Sequence, residues 1–96
     1  MNSDWPFSDP QNVAVFTIGD ILSESSPILY VTHDIDDGAW QFLPDSGADM
    51  SKAKVVALKE IVRLDSSICE LADLPLGWVA TRQGKSTPWT RAKKDG

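Results

Sequence analysis

The chain has 96 residues, 42% of them hydrophobic, and carries a formal net charge of −5. This length and composition support one domain with a real hydrophobic core and exclude wholesale disorder. The acidic balance argues against nucleic acid as a partner, because phosphates are bound by basic surfaces. A single cysteine, Cys69, excludes an intramolecular disulfide. No apolar run approaches the roughly 20 residues of a membrane span, and the N-terminus lacks the form of a signal peptide, so we expect a cytoplasmic protein without membrane contact.

The first half of the chain predicts an irregular arm, then strands and one short helix. Residues 1–12 hold Pro6 and Pro10 and form the arm, which Trp5 and Phe7 attach to the body. The predicted elements that follow are a strand at 13–16, a helix at 18–22 with Thr17 as its N-cap, a strand at 28–32, an Asp-Gly turn at 35–38 and a strand at 39–43. The Asp-Gly pair is a strong hairpin signal, because both residues tolerate positive φ.

The second half predicts two helices and a second hairpin. The predicted elements are a polar loop at 44–52, a strand at 54–57, a helix at 58–64, a second short helix at 67–74 and a hairpin with strands at 78–82 and 87–90. Ser67 and Glu70 have the Ser-x-x-Glu spacing that caps a helix N-terminus. Pro75 and Gly77 then end that helix. The basic residues 91–96 are predicted to form a flexible tail.

These elements together predict an α+β fold. We expect a small single domain over residues 13–90, with a mainly antiparallel sheet, two hairpins and two or three short helices on one face. The side chains predicted to be largely buried are Trp40, Phe42, Leu58, Ile61, Leu71 and Trp78. Core packing is therefore the first interpretation of Trp40 and Trp78, whereas Trp89 between Pro88 and Thr90 is a candidate binding anchor.

The two halves of the chain differ sharply in charge. All nine Lys and Arg residues follow position 50, and residues 1–50 hold nine carboxylates and no basic side chain. Such an asymmetry concerns partners and association rates rather than fold. We therefore predict a protein partner, and the candidate binding surface consists of Asp34, Asp36, Asp37, Asp45 and Asp49. The alternative is that the basic half neutralises the acidic half within the fold.

No catalytic or metal-binding constellation rises above background. His33 is the only histidine, and with Asp34, Asp36 and Asp37 it could indicate a metal site, but the spacing does not match a calcium loop. No second His or Cys lies near enough in sequence to complete a zinc set. Cys69 between Ile68 and Glu70 is best interpreted as a small core residue. We therefore predict no catalytic residue, no bound metal and no cofactor.

Several segments between residues 31 and 82 share a pattern with a known protein family. A strand at 31–34 leads through an acidic turn and Gly38 to Trp40 and an aromatic-aliphatic strand. An aliphatic strand at 55–58 and a helix with Ile61 follow. An Asp65-Ser66-Ser67 break then leads to an exit through residues 71–75 and Gly77. In these features the chain resembles the family numbered thirty-three among the immunity proteins of bacterial polymorphic toxin systems.

The resemblance implies a non-enzymatic immunity protein that binds and occludes a cognate toxin domain. A toxin that attacks nucleic acid has a basic surface, which an acid-only surface complements. The family brings no catalytic residues with it. Two alternatives stay open beside this function: an intracellular scaffold or regulatory module with another partner, and a metal-binding enzyme centred on His33.

Overall fold

The central element of the fold is a six-stranded sheet. The computed structural model describes residues 5–94. The strands are β1 (Ala14–Ile18), β2 (Tyr30–His33), β3 (Trp40–Leu43), β4 (Ala53–Ala57), β5 (Trp78–Thr81) and β6 (Thr90–Lys93). The helices are α1 (Gly19–Leu22), α2 (Leu58–Leu64) and two 3-10 helices, Met50–Lys52 and Ser66–Leu71. The strand order is β4-β1-β3-β2-β5-β6. Only β1 and β3 pair in parallel, so the predicted α+β fold with two antiparallel hairpins is confirmed.

The hydrophobic core lies between one face of the sheet and the helices. Alternation along the strands directs the side chains of Val15, Val31, Phe42 and Ala80 to this face. Against them pack the apolar positions of the helices, which are Ile21 in α1, Leu58 and Ile61 in α2, and Ile68 and Leu71 in the second 3-10 helix. Five of the six predicted core residues are buried, whereas Trp78 near the sheet edge is half-buried.

The second face of the sheet has its own apolar side chains. Phe16, Tyr30 and Val79 are half-buried there, and Leu43 is buried without being part of the core cluster. The strand register places Phe16 beside Gln41 and Gln41 beside Thr32, so these side chains form a continuous row across the sheet. No helix within residues 5–94 is long and apolar enough to cross a membrane.

Thr17 does not cap a helix, contrary to the prediction. It lies inside β1, where its pairing with Lys54 and the pairing of Ile18 with Ala53 extend the strand. Its buried hydroxyl donates to the carbonyl oxygen of Phe42 at 2.7 Å. Helix α1 therefore begins at Gly19 and has no side-chain cap. The acceptor of this hydrogen bond lies on a strand 25 residues away along the chain, so no local sequence pattern indicates the bond.

Two boundaries in the second half also differ from the prediction. Asp65, not Ser67, caps the second 3-10 helix, because its carboxylate accepts from the Ser67 N–H at 3.0 Å. The prediction of a flexible tail is wrong for residues 91–93. These residues belong to strand β6, which continues to Lys93 and pairs with β5 as far as Trp78. The Lys94 N–H donates to the Gly77 carbonyl at 2.8 Å. Residues 95–96 of the predicted tail lie outside the described residues.

Candidate protein-binding surface

The turn between β2 and β3 presents one group of aspartates at a fixed geometry. The Asp34 N–H donates to the Ala39 carbonyl at 2.8 Å, and the Gly38 N–H donates to the Asp34 carbonyl at 2.9 Å. One carboxylate oxygen of Asp37 accepts from the Ala39 N–H at 2.9 Å. Of the Asp-Gly pair only Gly38 has a positive φ, 73°. Residues 34–39 thus form a hydrogen-bonded tip that exposes Asp36, Asp37 and the side chain of Ile35.

His33 and Asp34 both have protein partners at the base of this tip. The His33 ring stacks on Trp40 with a centroid separation of 3.9 Å. Its Nδ1 lies 2.8 Å from the Leu74 carbonyl oxygen, so Nδ1 carries a proton, because a carbonyl can only accept. Asp34 accepts from the Gln41 amide at 3.1 Å. Among residues 5–94 no three His, Cys, Asp or Glu side chains form a group that could hold a metal ion.

The turn that contains Gly77 contacts the tip and the end of β2. The Gly77 N–H donates to the His33 carbonyl at 2.7 Å, and its φ of 81° lies in the left-handed region. A Cβ at this position would stand 3.4 Å from Cδ1 of Ile35. Glycine is favoured here because an L side chain is strained at this φ, whereas a Cβ would only come into contact with Ile35. The exposed Ile35 is therefore held close to a second turn of the chain.

Replacing Gly77 by alanine tests the role of this glycine. We expect Gly77→Ala to lower the free energy of unfolding by about 1–2 kcal/mol, through the left-handed backbone. Urea unfolding followed by tryptophan fluorescence measures the change. Gly19→Ala is the matched control: it has open space around it and an ordinary φ at the start of α1, so it should leave stability unchanged or raise it by up to about 1 kcal/mol. Equal effects at both positions would contradict the assigned role of Gly77.

A second group of aspartates lies in the loop after β3. One oxygen of Asp45 accepts from the Gly47 N–H at 2.8 Å. One oxygen of Asp49 accepts from the hydroxyl of Ser51 at 2.6 Å and from its N–H at 3.0 Å. The hydroxyl, followed by the N–H, holds the pKa of Asp49 below its ordinary value, so this carboxylate keeps its charge in mild acid. Asp20 of α1 lines the same cleft, whose volume is about 560 Å³.

The five predicted aspartates therefore form two groups, one at each end of β3. Asp34, Asp36 and Asp37 precede the strand, and Asp45 and Asp49 follow it. Four residues of strand separate the groups by about 10 Å or more at 3.4 Å per residue. We call them the tip group and the loop group. Sequence reasoning missed Asp20 as a neighbour of the loop group, since only the parallel pairing of β1 with β3 brings its helix there.

Neither group of aspartates takes part in an ion pair within residues 5–94. Three pairs form within residues 5–94, and each joins two residues of the second half: Arg63 with Glu60, Arg82 with Asp65 and Arg91 with Asp73. The carboxylates described in the first half take part in none of these pairs. Lysines of the second half nevertheless lie near both groups: Lys52 and Lys54 line the cleft of Asp45 and Asp49, and Lys94 lines a cleft with the tip aspartates. Each of the three arginines pairs with a carboxylate of its own half.

Trp89, the candidate binding anchor, and Trp5 of the arm both pack against the body. Trp89 is half-buried, and the Arg82 guanidinium lies 4.1 Å from its ring centroid. The Trp5 Nε1 donates to the Asp9 carbonyl at 2.7 Å, and its ring packs on Phe7.

No family model matches the chain, and no curated protein or solved structure matches it either.

Proposed function

We propose that this chain is a cytoplasmic, non-enzymatic immunity protein of a bacterial toxin system. It binds a cognate toxin domain with a basic surface and occludes it through the tip and loop groups. The observation that carries the proposal is that Asp34, Asp36, Asp37, Asp45 and Asp49 have no ion-pair partner within residues 5–94. Neighbouring carboxylates without an ion pair repel one another in the free protein, and a basic partner relieves that repulsion and is attracted over a distance.

The carboxylates are also oriented for an intermolecular contact. Asp37, Asp45 and Asp49 each use one oxygen to accept from a nearby backbone N–H, which fixes the side chain and keeps the other oxygen available. A fixed carboxylate loses little rotational freedom when a guanidinium or ammonium group binds it. This arrangement supports binding, whereas His33 and Asp34 already have partners in the fold.

The test uses the protein encoded by the reading frame beside the gene of this chain. We expect that protein to be toxic when expressed alone, harmless when expressed with this chain, and to form a complex with it in vitro. A scaffold or regulatory module would give no protection. A metal enzyme around His33 would instead gain thermal stability with a divalent metal, since specific binding stabilises the native state by mass action. Absence of both protection and complex formation would overturn the immunity function.

Charge removal tests the acidic groups themselves. We prepare Asp36→Asn with Asp37→Asn, and Asp45→Asn with Asp49→Asn, because asparagine keeps the accepting oxygen that the turns use. Each double variant should melt near wild type, since exposed charges contribute little to stability. Each should bind the toxin domain about 3- to 10-fold more slowly at low salt, with a weaker dependence of the association rate on ionic strength.

The matched control removes a carboxylate from the other half. Glu60 lies on α2, and Glu60→Gln removes only the ion pair with Arg63 on the protein surface. It should leave the association rate and its salt dependence at wild-type values. If the aspartate variants and the control behave alike, the aspartates are solvated turn residues and the binding contact lies elsewhere.

A further inference from the structure

We propose that the second face of the sheet, bordered by the tip and loop groups, is the surface that docks on the basic toxin domain. This inference rests on the proposed function and assigns its contact surface. None of the strand positions that alternation directs to this face is charged, although 24% of the chain is charged. These positions are Ala14, Phe16 and Ile18 of β1, Tyr30 and Thr32 of β2, Gln41 and Leu43 of β3, Ala53, Val55 and Ala57 of β4, Val79 and Thr81 of β5, and Thr90 and Ala92 of β6.

The strand charges lie on the other side of the sheet. Lys54 neighbours Thr17 in register, and Lys93 neighbours Trp78, so both follow the core-facing alternation. Arg91 follows it too, and its guanidinium donates to the Glu70 carbonyl beside the second 3-10 helix. Helices α1, α2 and the second 3-10 helix pack on that side, so the uncharged face lies opposite to them. An uncharged, partly apolar sheet face is a feature of interaction surfaces.

Both acidic groups border this face. At one end, the Gln41 amide on the face donates to Asp34, which places Asp34 at its rim. At the other end, Asp45 lines a cleft with Tyr30 and Thr81, and a second cleft with Ile18. The result is an uncharged face, with Thr32 and Gln41 at its centre and apolar side chains around them, that has carboxylates at two opposite ends. Interfaces have this anatomy, with a dry centre and a polar rim that sets register.

Charge complementarity selects a basic protein rather than a second copy of the chain. Two copies that pack these faces with aligned strands must place each acidic end over an acidic end, whether the strands run parallel or antiparallel. Like charges so placed oppose association. The area of the face sets a further condition. Six strands of about four residues project roughly 300–400 Å², short of the about 800 Å² per partner of a stable interface. The acidic ends must therefore take part.

The experiment adds charge at both edges of the face and measures binding of the purified toxin domain. Val55 on β4 is 61% exposed and Ala92 on β6 is exposed, so lysine at either position should be tolerated by the fold. We expect Val55→Lys and Ala92→Lys each to weaken binding at least about tenfold, mainly through faster dissociation. Val55→Glu should weaken it less, because a carboxylate suits a basic partner. Ser66→Lys is the matched control, since Ser66 is exposed at the start of the second 3-10 helix, which packs on the opposite side of the sheet.

The outcomes separate this inference from the function on which it rests. A wild-type chain that does not bind the toxin domain overturns the function. A wild-type chain that binds, together with edge lysine variants that bind as tightly, overturns the docking face alone. A loss confined to Ser66→Lys also overturns it and moves the contact to the helical side of the sheet. If sedimentation finds a wild-type dimer that Val55→Lys dissociates, the occupant is a second copy and the inference fails. Hydrogen exchange on the wild-type complex, which needs no variant, should slow at residues 34–39 and 44–49.

Discussion

Replacing Arg82 by methionine should lower the free energy of unfolding by about 3–5 kcal/mol. Arg82 is almost fully buried, and its Nη2 lies 2.7 Å from the Asp65 carboxylate, which is only 10% exposed. The same guanidinium donates to the Ile28 carbonyl at 3.0 Å and to the Ser67 hydroxyl at 2.9 Å, and it covers the Trp89 ring. Methionine fills much of the volume but leaves the Asp65 charge without its partner. In a domain of this size the melting temperature should fall by at least about 12 °C.

A second substitution locates the source of that loss. Adding Asp65→Asn to Arg82→Met removes the uncompensated charge and keeps an oxygen that can accept from the Ser67 N–H. The double variant should therefore recover part of the stability, as measured by urea unfolding. Arg63→Met is the surface control, because its pair with Glu60 is exposed and should cost at most about 0.5 kcal/mol. A double variant less stable than Arg82→Met would show that the hydrogen bonds, rather than the charge, are decisive.

The same pair sets the response of the fold to acid. Burial alone raises the pKa of Asp65, but the hydrogen bonds from Ser67 and the charge of Arg82 together bring it below its ordinary value. A carboxyl with a lowered folded pKa stabilises the native state above its unfolded pKa of about 3.9. That stabilisation is lost as the pH falls through the lower folded pKa. Asp65 thus contributes at neutral pH and gives way only in strong acid.

Sequence patterns predicted those elements whose signals are local. Helix α2 occupies the predicted residues 58–64, because the apolar spacing of Leu58 and Ile61 and the break at Asp65 are all within the segment. The Asp-Gly turn likewise places the first hairpin. The second hairpin was predicted with its return strand at 87–90, whereas β6 is Thr90–Lys93. Arg82, at the start of this longer connection, binds Ile28 and Asp65, which lie far away along the chain and give no local signal.

The candidate site divides in the same way. The unequal charge of the two halves is visible in the sequence and led to the five aspartates. Their division into two groups is not visible, because it follows from which strand lies between them and from the parallel pairing of β1 with β3. The uncharged face of the sheet is likewise not visible in the sequence. Its members come from six strands, and only the register between those strands shows that they share one side.

Trp40 connects the arm, the hairpin and the core, and its removal should cost about 3–5 kcal/mol. Only 1% of its surface is exposed. Its ring meets Phe7 edge-on at 5.5 Å, and it stacks on His33 and on Phe42. Trp40→Ala would leave a large cavity among these rings that the surrounding sheet cannot fill. Urea unfolding at neutral pH measures the loss.

Trp40→Phe separates packing from polarity at the same position. The indole Nε1 of Trp40 is buried and has no hydrogen-bond partner in the described part of the chain, so its burial opposes folding. Phenylalanine keeps an aromatic ring against His33 and removes this N–H, and we expect a loss of less than about 1.5 kcal/mol. Val62→Ala, at a half-buried position on α2, gives the scale of an ordinary truncation at the edge of the core. A Trp40→Phe variant as unstable as Trp40→Ala would mean that the size and shape of the indole, rather than an aromatic ring as such, hold the hairpin to the core.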